Sequence, residues 1–249
     1  MSDERKFGKA KHWNAISAYG FIAEDGCSKQ HFFQVRDIVT PGVEDIPLGQ
    51  SVEFELGTNK RNGKPQAEKY RREMVAAADG RVLEVGVGSG LNFPFYGKQV
   101  ETVIGIDPSP RLLAIARRRA DAAGLQAELL QGSAIAIPLA DSTIDTVVMT
   151  WALCSITDPL AALRKMRRVL KPDARLLFVE HGLSPEPGIE RWQHGLTPIW
   201  CHVAGGCHLD RKMDDLIRSA GFDLIDLRTE YASGPRPMTY MYLGRAIRH

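Results

Sequence analysis

Three closely spaced glycines behind a short apolar run constrain the fold of this chain more than any other feature. The run, Arg81 to Val85, leads directly into Gly86, Gly88 and Gly90. A loop without Cβ atoms lets the backbone approach a ligand closely, and a helix that begins behind it offers free N–H groups. The pattern therefore predicts a strand, a ligand-binding turn and a possible helix in succession.

Acidic residues on both sides of this turn narrow the kind of ligand. Glu84 precedes the first glycine, and Asp107 ends the next strand-like run, where a carboxylate can accept both hydroxyls of a ribose. Only Ser89 separates Gly88 from Gly90, whereas dinucleotide-binding loops usually have two residues there to admit a pyrophosphate. The spacing favours a nucleoside without a phosphate, such as S-adenosylmethionine. The alternatives are a dinucleotide enzyme, or a tight turn whose Asp107 only caps the next helix.

Strands and amphipathic helices alternate along the chain after residue 80. We expect strands at 81–85, 102–106, 127–130, 145–150, 175–180, 222–227 and 240–246, and helices at 110–124, 159–170 and 210–220. This alternation predicts a parallel, doubly wound α/β sheet.

The first seventy residues follow a different pattern. Short segments rich in aromatic and β-branched residues alternate with turn signals such as Glu24-Asp25-Gly26 and Leu48-Gly49. Several short strands at this spacing predict a small all-β barrel. The change of pattern divides the chain into a barrel at 1–72, a linker or short helix at 73–80, and an α/β domain at 81–249.

Composition excludes several classes of protein. The 249 residues carry a formal net charge of +2, so no strong field demands a polyanionic partner. The longest apolar run, 147–156, is too short for a membrane span, which needs roughly 20 residues. The charged N-terminus has no apolar segment behind it, and four cysteines are too few for a disulfide scaffold. We therefore expect a cytoplasmic protein without a membrane span.

From residue 81 onward the chain resembles the class I S-adenosylmethionine-dependent methyltransferases. The segments that carry this resemblance are Val82–Gly90, Gly105–Ser109, Ser142–Val148 and Leu170–Leu177. A closer similarity to the thiol methyltransferase-like branch of small-molecule enzymes rests on residues 151–156, 180–182, 205–209 and 236–240. Bacterial phospholipid and quinone methyltransferases share the first set of segments.

This resemblance implies S-adenosylmethionine as the cofactor and assigns residues to it. Glu84, Gly86, Gly88 and Gly90 are expected at the methionine end, Asp107 and Pro108 at the ribose, Ser133 and Ala134 at the adenine, and Trp151 as a wall. Many relatives have an acid at the position of Ser133, so the adenine contact is expected to be weaker here or to come from the backbone. Relatives also have a longer helical segment before the first strand, where only about 68–78 is available.

His181 is the candidate catalytic residue, because it follows the strand that ends at Glu180 and lies at the carboxyl edge of the sheet. It could take a proton from a thiol or an amine, or it could only hold a loop. The resemblance adds Trp200, His208 and Tyr240 as an expected acceptor pocket.

The cysteines invite two further interpretations. Cys154 is a candidate nucleophile, although a small buried hydrophobic residue is the better interpretation. The pairs Cys201-His202 and Cys207-His208 suggest zinc, but their spacing fits no standard zinc motif. We therefore expect no metal.

The N-terminal part resembles a cold-shock domain. The matching segments are residues 11–14, 18–22, 31–35 and 49–54, and the aromatic platform that stacks bases in such domains is represented by Trp13, Tyr19, Phe21 and Phe32. His12, Gln34 and Val35 depart from the family pattern. The resemblance implies single-stranded RNA or DNA as a partner, and the alternative is a barrel reused as a lid or spacer.

Taken together, the two resemblances imply an N-terminal all-β OB-type barrel and a C-terminal α/β Rossmann-like methyltransferase sheet. The leading hypothesis is methyl transfer to a small-molecule acceptor, with a thiol favoured. The alternatives are an RNA methyltransferase targeted by the barrel, a phospholipid or quinone methyltransferase, and a nucleic-acid-binding protein whose catalytic domain has decayed. Thr150-Trp151-Ala152-Leu153 is not the Asn/Asp-Pro-Pro-aromatic motif of enzymes that methylate nucleic-acid amines.

Overall fold

The computed structural model describes residues 6–14, 19–26, 30–34, 47–54 and 64–248. The chain divides into two compact units, Met1–Thr58 and Asn59–His249. A helix at Lys64–Val75 packs within the second unit. The domain bounds expected at residues 72 and 80 stay a prediction.

The first unit is a small antiparallel sheet. Its strands are β1 (Lys6–Asn14), β2 (Tyr19–Glu24), β3 (Gln30–Gln34) and β4 (Ser51–Phe54), in the order β3-β2-β1-β4. Ala10 and Ile22 are buried, and a bulge interrupts the pairing of β1 with β2 after Ala10. This sheet confirms the all-β character predicted for the N-terminal part. The matched positions Ala18 and Val35 lie outside the described residues.

The second unit alternates strands and helices. Its strands are β5 (Gly80–Val85), β6 (Val100–Asp107), β7 (Ala127–Gln131), β8 (Ile144–Thr150), β9 (Leu170–His181), β10 (Phe222–Tyr231) and β11 (Tyr240–Arg248). Its helices are α1 (Lys64–Val75), α2 (Pro110–Ala123), α3 (Pro159–Val169), α4 (Pro187–Val203) and α5 (Met213–Ser219). Ser109 and Asp158 cap α2 and α3 with their side chains, and Gly124 ends α2 in the left-handed conformation.

These strands form one seven-stranded sheet in the order β10-β11-β9-β8-β5-β6-β7. Strands β5 to β9 are parallel, and β11 runs antiparallel to its neighbours β9 and β10. Strands β6 and β7 lie on one side of β5, and β8 and β9 lie on its other side. The strand order therefore changes direction between β5 and β8, and ligands of such sheets bind outside the carboxyl ends of the strands at this point. The fold confirms the predicted doubly wound α/β domain and locates its ligand crevice.

Alternate residues of the central strands supply the cores on the two faces of the sheet. Leu83 and Val85 pack with α3 and α5 residues in one hydrophobic cluster, whereas Val82 packs with α2 residues in another. Because β5 is buried on both faces, its carboxyl end is held rigidly where the glycine loop begins.

Three local predictions differ from the structure. The glycine loop is followed by turns and a short 3₁₀ segment, Phe93–Phe95, and the possible helix predicted there does not form. Pro94 and the tight turns leave no room for a regular helix before β6. Helix α4 has no counterpart among the predicted helices, and α5 begins at Met213, three residues later than predicted. None of the helices in the described ranges has the length and apolarity that a membrane crossing requires.

Candidate active site

The glycine loop after β5 has the backbone conformation that only glycine adopts easily. Gly86, Gly88 and Gly90 have φ angles of 69°, 54° and 77°. A Cβ atom on Gly86 would lie 2.6 Å from Cβ of Ala152, which follows β8. The loop is therefore pressed against the segment behind β8, and the two segments form one edge of the crevice.

Asp107 lies at the end of β6 beside this loop. Its carboxylate accepts hydrogen bonds from the backbone N–H groups of Gly88 (2.9 Å) and Ser109 (2.9 Å), one on each oxygen. Each carboxylate oxygen has a second lone pair, so both can still accept a hydroxyl. This arrangement fits the expected contact with a ribose.

Glu84 is buried below the loop and is held by two donors. Nδ2 of Asn92 donates to one carboxylate oxygen at 3.0 Å, and the hydroxyl of Tyr96 donates to the other at 2.6 Å. Burial raises the pKa of Glu84 to about 7, although both hydrogen bonds and the charge of Arg71 act in the opposite direction. The carboxyl group therefore titrates near neutral pH.

Helix α1 brings Arg71 over the same crevice. Its guanidinium carbon lies 4.5 Å from the centroid of the Trp151 ring, and Trp151 follows β8 with a φ of 51°. Nε of Arg71 and Oδ1 of Asn92 are both buried without a hydrogen-bond partner among the described residues. Buried polar groups of this kind usually have a partner, so an unpaired donor and an unpaired acceptor together point to a ligand.

These unpaired groups fit the amino-acid end of S-adenosylmethionine. A carboxylate matches the unpaired donor of Arg71, and an ammonium group matches Oδ1 of Asn92 and the carboxyl of Glu84. The residues present at the crevice therefore agree with the cofactor that the sequence implies.

The residues expected at the adenine lie along the same edge. Ser133 begins a 3₁₀ segment, Ala134–Ala136, and its hydroxyl accepts from the backbone of Ile135 at 3.4 Å. Ser133 and Pro108 are exposed, and Ala134 is partly buried against the core. The Ser133 hydroxyl keeps its own proton and one lone pair free, and its contact with the adenine stays a prediction.

A second polar cluster joins Cys154, His181 and Cys207. Sγ of Cys207 lies 3.2 Å from Nε2 of His181, and the ligand atoms of all three side chains lie within 4.8 Å of one another. Hydrogen bonding from Cys154 and then from His181 lowers the pKa of the Cys207 thiol, while the pKa of Cys154 is raised. Burial alone would lower the pKa of His181, but Cys207 and the charge of Glu180 raise it overall.

The segment that carries Cys154 is fixed by two charged side chains. The buried carboxylate of Glu180 accepts the backbone N–H groups of Ala152 (2.7 Å), Leu153 (3.0 Å) and Cys154 (3.3 Å). The guanidinium of Arg211 donates to the carbonyl oxygens of Leu153 and Ile156 at 2.6 and 2.7 Å. The sulfur of Cys154 therefore has a defined position. Burial raises the pKa of Glu180.

The residues expected to form the acceptor pocket lie around this cluster. Trp200 packs against the same hydrophobic core as Cys207, and its buried indole nitrogen has no hydrogen-bond partner in the described ranges. Tyr240 is buried in that core, edge-on to Tyr242 at 5.4 Å. His208 is half exposed beside Asp210, and its backbone N–H donates to the carbonyl oxygen of Cys154. Their role as an acceptor pocket stays a prediction.

Several of these residues have no signal in the sequence. Arg71, Asn92 and Tyr96 carry no motif of their own, and only their contacts with Glu84 and Trp151 show their importance. The contact of Cys207 with His181 joins residues 26 positions apart, so the sequence pair Cys207-His208 does not indicate it. A signal was present in the acid-histidine pair Glu180-His181 at the end of an apolar strand.

The candidate nucleic-acid-binding residues lie on β1, β2 and β3. The backbone register pairs Phe21 with His12 and with Phe32, and Trp13 with Gly20. The side chain of Phe21 is partly buried. The side chains of Trp13, Tyr19 and Phe32 lie outside the described part of the chain, as do those of His12 and Gln34. Phe7, Lys9 and Lys11 on β1 are exposed.

Comparison with known families agrees with both units. Residues 83–178 match the family described as a methyltransferase domain, and residues 6–72 match the 'cold-shock' DNA-binding domain family. The YcgJ protein of Bacillus subtilis has the same fold, with a TM-score of 0.61 and 16% identity, over 75% of this chain and 99% of that chain. Fold and site thus define a class I S-adenosylmethionine-dependent methyltransferase that carries an N-terminal cold-shock domain.

Curated relatives define the branch of this class. Thiol S-methyltransferase TMT1B of Rattus norvegicus is 35% identical over 170 residues, which cover 67% of this chain and 68% of that protein. The human TMT1B is 32% identical over 202 residues, or 76% of this chain and 80% of that protein. The chain belongs to this family of methyltransferases, with S-adenosylmethionine as its methyl donor.

Proposed function

We propose that this enzyme transfers a methyl group to a small-molecule thiol. The observation that carries the proposal is the similarity to two thiol S-methyltransferases, which extends over two thirds or more of the chain. The arrangement of Cys154, His181 and Cys207 at the carboxyl edge of the sheet supports it, because this polar cluster lies directly behind the segment that packs against the glycine loop.

The cofactor residues follow from the polar groups of the crevice. Glu84 and Oδ1 of Asn92 bind the ammonium group, Arg71 binds the carboxylate, and Asp107 binds the ribose hydroxyls. Gly86 lets the loop approach the cofactor closely. When bound, S-adenosylmethionine supplies an electrophilic methyl group on a positively charged sulfur.

His181 lies beside Cys207 at the carboxyl end of β9, with Nε2 3.2 Å from its sulfur. Burial lowers the pKa of the imidazole, but the hydrogen bond with Cys207 and the charges of Cys207 and Glu180 raise it overall. A group of this kind beside a thiol favours the thiolate form, which is the nucleophile. We therefore assign to the His181 cluster the role of promoting ionisation of the acceptor thiol.

Methyl transfer to a panel of acceptors tests this function. The full chain is incubated with isotope-labelled S-adenosylmethionine and either small alkyl thiols, primary amines or a quinol, and products are identified by mass spectrometry. We expect labelled thioethers, a large loss of product in Asp107→Asn, and unchanged product in Asp121→Asn, an exposed acid on α2. Methylation of amines or quinols without any thioether would overturn the proposal.

A second candidate function, single-stranded nucleic-acid binding, rests on the cold-shock match and on the exposed side chains of Phe7, Lys9 and Lys11. Exposed aromatic and basic groups together suit stacking of bases and contact with phosphates. Fluorescence anisotropy of labelled RNA and DNA oligonucleotides with the full chain tests it. We expect Phe21→Ala to weaken binding several-fold, and an unchanged affinity in that variant would count against this function.

A further inference from the structure

Three soft or borderline metal ligands converge from separate parts of the chain. Cys154 follows β8, His181 ends β9, and Cys207 follows α4. Their sulfur and nitrogen atoms lie within 4.8 Å of one another, and the Cys207–His181 separation is 3.2 Å. Within the described part of the chain this group has three members.

We propose that Cys154, His181 and Cys207 bind one Zn²⁺ ion, with a fourth coordination position open to an exogenous thiolate. A tetrahedral zinc ion with sulfur at about 2.3 Å and nitrogen at about 2.0 Å separates its ligand atoms by roughly 3.5–3.8 Å. The distances in the cluster bracket this range, so small side-chain rotations are enough to accommodate the ion.

The donor set selects the class of metal. Two thiolates and one imidazole suit zinc and other borderline or soft ions, and they do not suit magnesium or calcium, which prefer oxygen. Structural zinc sites usually have four protein ligands, whereas three protein ligands with an open position are typical of catalytic zinc. The three-membered group therefore corresponds to the second kind of site.

The surrounding groups fix the ligands in place. Glu180 binds the backbone N–H groups of residues 152–154, and Arg211 binds the carbonyl oxygens of Leu153 and Ile156. The backbone N–H of His208 donates to the carbonyl oxygen of Cys154 at 2.8 Å, which ties the Cys207 segment to the Cys154 segment. Such supporting contacts hold a metal site in its geometry and tune its affinity.

The location of the cluster connects it with methyl transfer. Ala152 packs against Gly86 of the cofactor loop, and Cys154 lies two residues farther along the same fixed segment. Cys154 and Cys207 are buried and His181 is partly exposed, so the His181 side is where a fourth ligand would approach. This part of the proposal rests on the thiol function proposed above.

The bonds and charges of the step balance. The acceptor thiol releases its proton to solvent when its sulfur binds zinc. One electron pair of that thiolate then forms the new sulfur–carbon bond, while the pair of the broken sulfonium–methyl bond stays with the departing thioether sulfur. The methylated acceptor is a neutral thioether. It binds zinc more weakly than the thiolate did, so it leaves the site.

This proposal departs from the expectation of no metal. That expectation rested on the spacing of Cys201-His202 and Cys207-His208 along the chain. Of those four residues, Cys207 belongs to the cluster. The other two ligands are Cys154, which follows β8, and His181, which ends β9. These strands are parallel neighbours, and the spacing of residues along the chain does not indicate that.

Metal binding by the cofactor-free full chain tests the site. The protein is stripped with a chelator and titrated with Co²⁺, whose thiolate complexes absorb in the near ultraviolet, and Zn²⁺ affinity is measured by competition. We expect one ion per chain, and a loss of roughly 100-fold in Zn²⁺ affinity for Cys154→Ser, His181→Gln and Cys207→Ser, because the loss of even a supporting contact typically costs about 10–100-fold. Cys201→Ser is the matched control, because Cys201 lies outside the cluster, and it should bind as the unaltered chain does.

Each outcome decides one part of the proposal. Failure of the unaltered, folded chain to bind either ion overturns the site, as does equal weakening by Cys201→Ser. If Co²⁺ binds but its spectrum does not change when an alkyl thiol is added, the open position is overturned. If metal and thiol both bind and no thiol is methylated, the thiol function proposed above fails and the metal site stands.

Discussion

At the scale of single residues, four of the six buried side-chain atoms that lack a hydrogen-bond partner among the described residues belong to residues proposed for the cofactor crevice or the acceptor. Buried atoms without hydrogen-bond partners among the described residues include Arg71 Nε, Asn92 Oδ1, His181 Nδ1 and Trp200 Nε1. An unpaired buried group costs roughly 1–3 kcal/mol, so a fold keeps several of them in one place only if a ligand can satisfy them. In the proposed cofactor site, the amino-acid end of S-adenosylmethionine would satisfy the first two.

Glu84 gives cofactor binding a dependence on pH. Its pKa of about 7 means that it is largely protonated at pH 6, and an ammonium group binds the ionised form. We therefore expect the affinity for S-adenosylmethionine, measured by calorimetry, to rise as the pH increases from 6 to 8 and then to level off. Glu84→Gln should bind the cofactor about ten- to a hundredfold more weakly at pH 8, with little pH dependence.

Tyr96 provides the matched control for that experiment. Tyr96→Phe removes one donor to Glu84 but keeps the carboxyl group, so the pKa of Glu84 should rise further and the pH dependence should shift upward. Asn92 and Arg71 are the other polar groups that face Glu84, and both stay in place in this variant. The same pH slope in Glu84→Gln as in the unaltered chain would contradict the role of Glu84.

The left-handed backbone and close packing at Gly86 lead to a second prediction at this scale. Gly86→Ala places a Cβ atom 2.6 Å from Ala152 in a residue with a φ of 69°. We expect a loss of about 1–3 kcal/mol in the free energy of unfolding, measured with urea, together with weaker cofactor binding.

Gly195 supplies the contrast for Gly86. It lies inside α4 with nothing within 4 Å of an added Cβ atom, so Gly195→Ala should raise stability by about 0.5–1 kcal/mol. If both variants were equally stable, the close approach between Gly86 and Ala152 would have no energetic weight.

At the scale of elements, the position of helix α1 depends on contacts that no motif in the sequence indicates. Tyr70 donates to Glu230 at 2.6 Å, and Glu73 forms a two-pronged ion pair with Arg228 at 2.8 and 2.9 Å. The Glu73–Arg228 pair is half exposed and contributes little, about 0.2–1 kcal/mol, whereas the burial of Tyr70 and Met74 against β11 residues holds the helix. Short as it is, α1 therefore covers the crevice beside Trp151.

Variants of the two arginines of α1 distinguish a direct contact with the cofactor from a general effect of charge. Arg71 lies over Trp151 and faces Glu84, whereas Arg72 is exposed and lies 5.5 Å from the ring of Phe95. We expect Arg71→Ala to weaken cofactor binding about tenfold, because a charge-assisted hydrogen bond to the cofactor carboxylate is lost. Arg72→Ala should change the calorimetric affinity less than twofold, and equal losses in both variants would show that only the overall charge matters.

At the scale of the whole molecule, the chain combines a small antiparallel unit with a methyltransferase unit. Residues 1–58 hold six Lys plus Arg against nine Asp plus Glu, so the N-terminal unit has a net charge of −3. Nonspecific attraction to phosphates is therefore weak, and binding of a nucleic acid would depend on stacking and on a few well-placed lysines.

The salt dependence of the affinity reports how many lysines contact phosphates. If Lys9 and Lys11 each contact one phosphate, the logarithm of the affinity for a single strand should fall with a slope of about −1.4 against the logarithm of salt concentration. Lys9→Ala with Lys11→Ala should remove most of that slope, and Phe21→Ala should lower the affinity without changing it. Lys69→Ala, on the exposed side of α1, is the control, and a steep slope in the double variant would contradict this interpretation.

Local sequence patterns predicted much of the fold, because strands and helix caps depend on residues that are close together in the chain. The alternation of apolar runs and amphipathic segments predicted β5 to β9, α2 and α3 within a few residues. Helix α4 was missed because its glycines and Pro198 weaken the helical signal, and its stability comes from tertiary packing. The 3₁₀ segment after the glycine loop replaced the expected helix for a related reason, since Pro94 and the packing of Phe93 under Gly90 decide the local conformation.

The sequence by itself determined the ligand-binding turn, the class of cofactor and the order of strands and helices, since glycines, terminal acids and hydrophobic periodicity act within a few residues. The tertiary structure decided which side chains meet. Arg71 reaches Glu84 and Trp151, and Cys207 reaches His181 and Cys154, only because the ordering of the parallel strands brings their carboxyl ends to one edge. Such contacts depend on packing between residues that are far apart in the chain, and no short sequence pattern indicates which residues will meet.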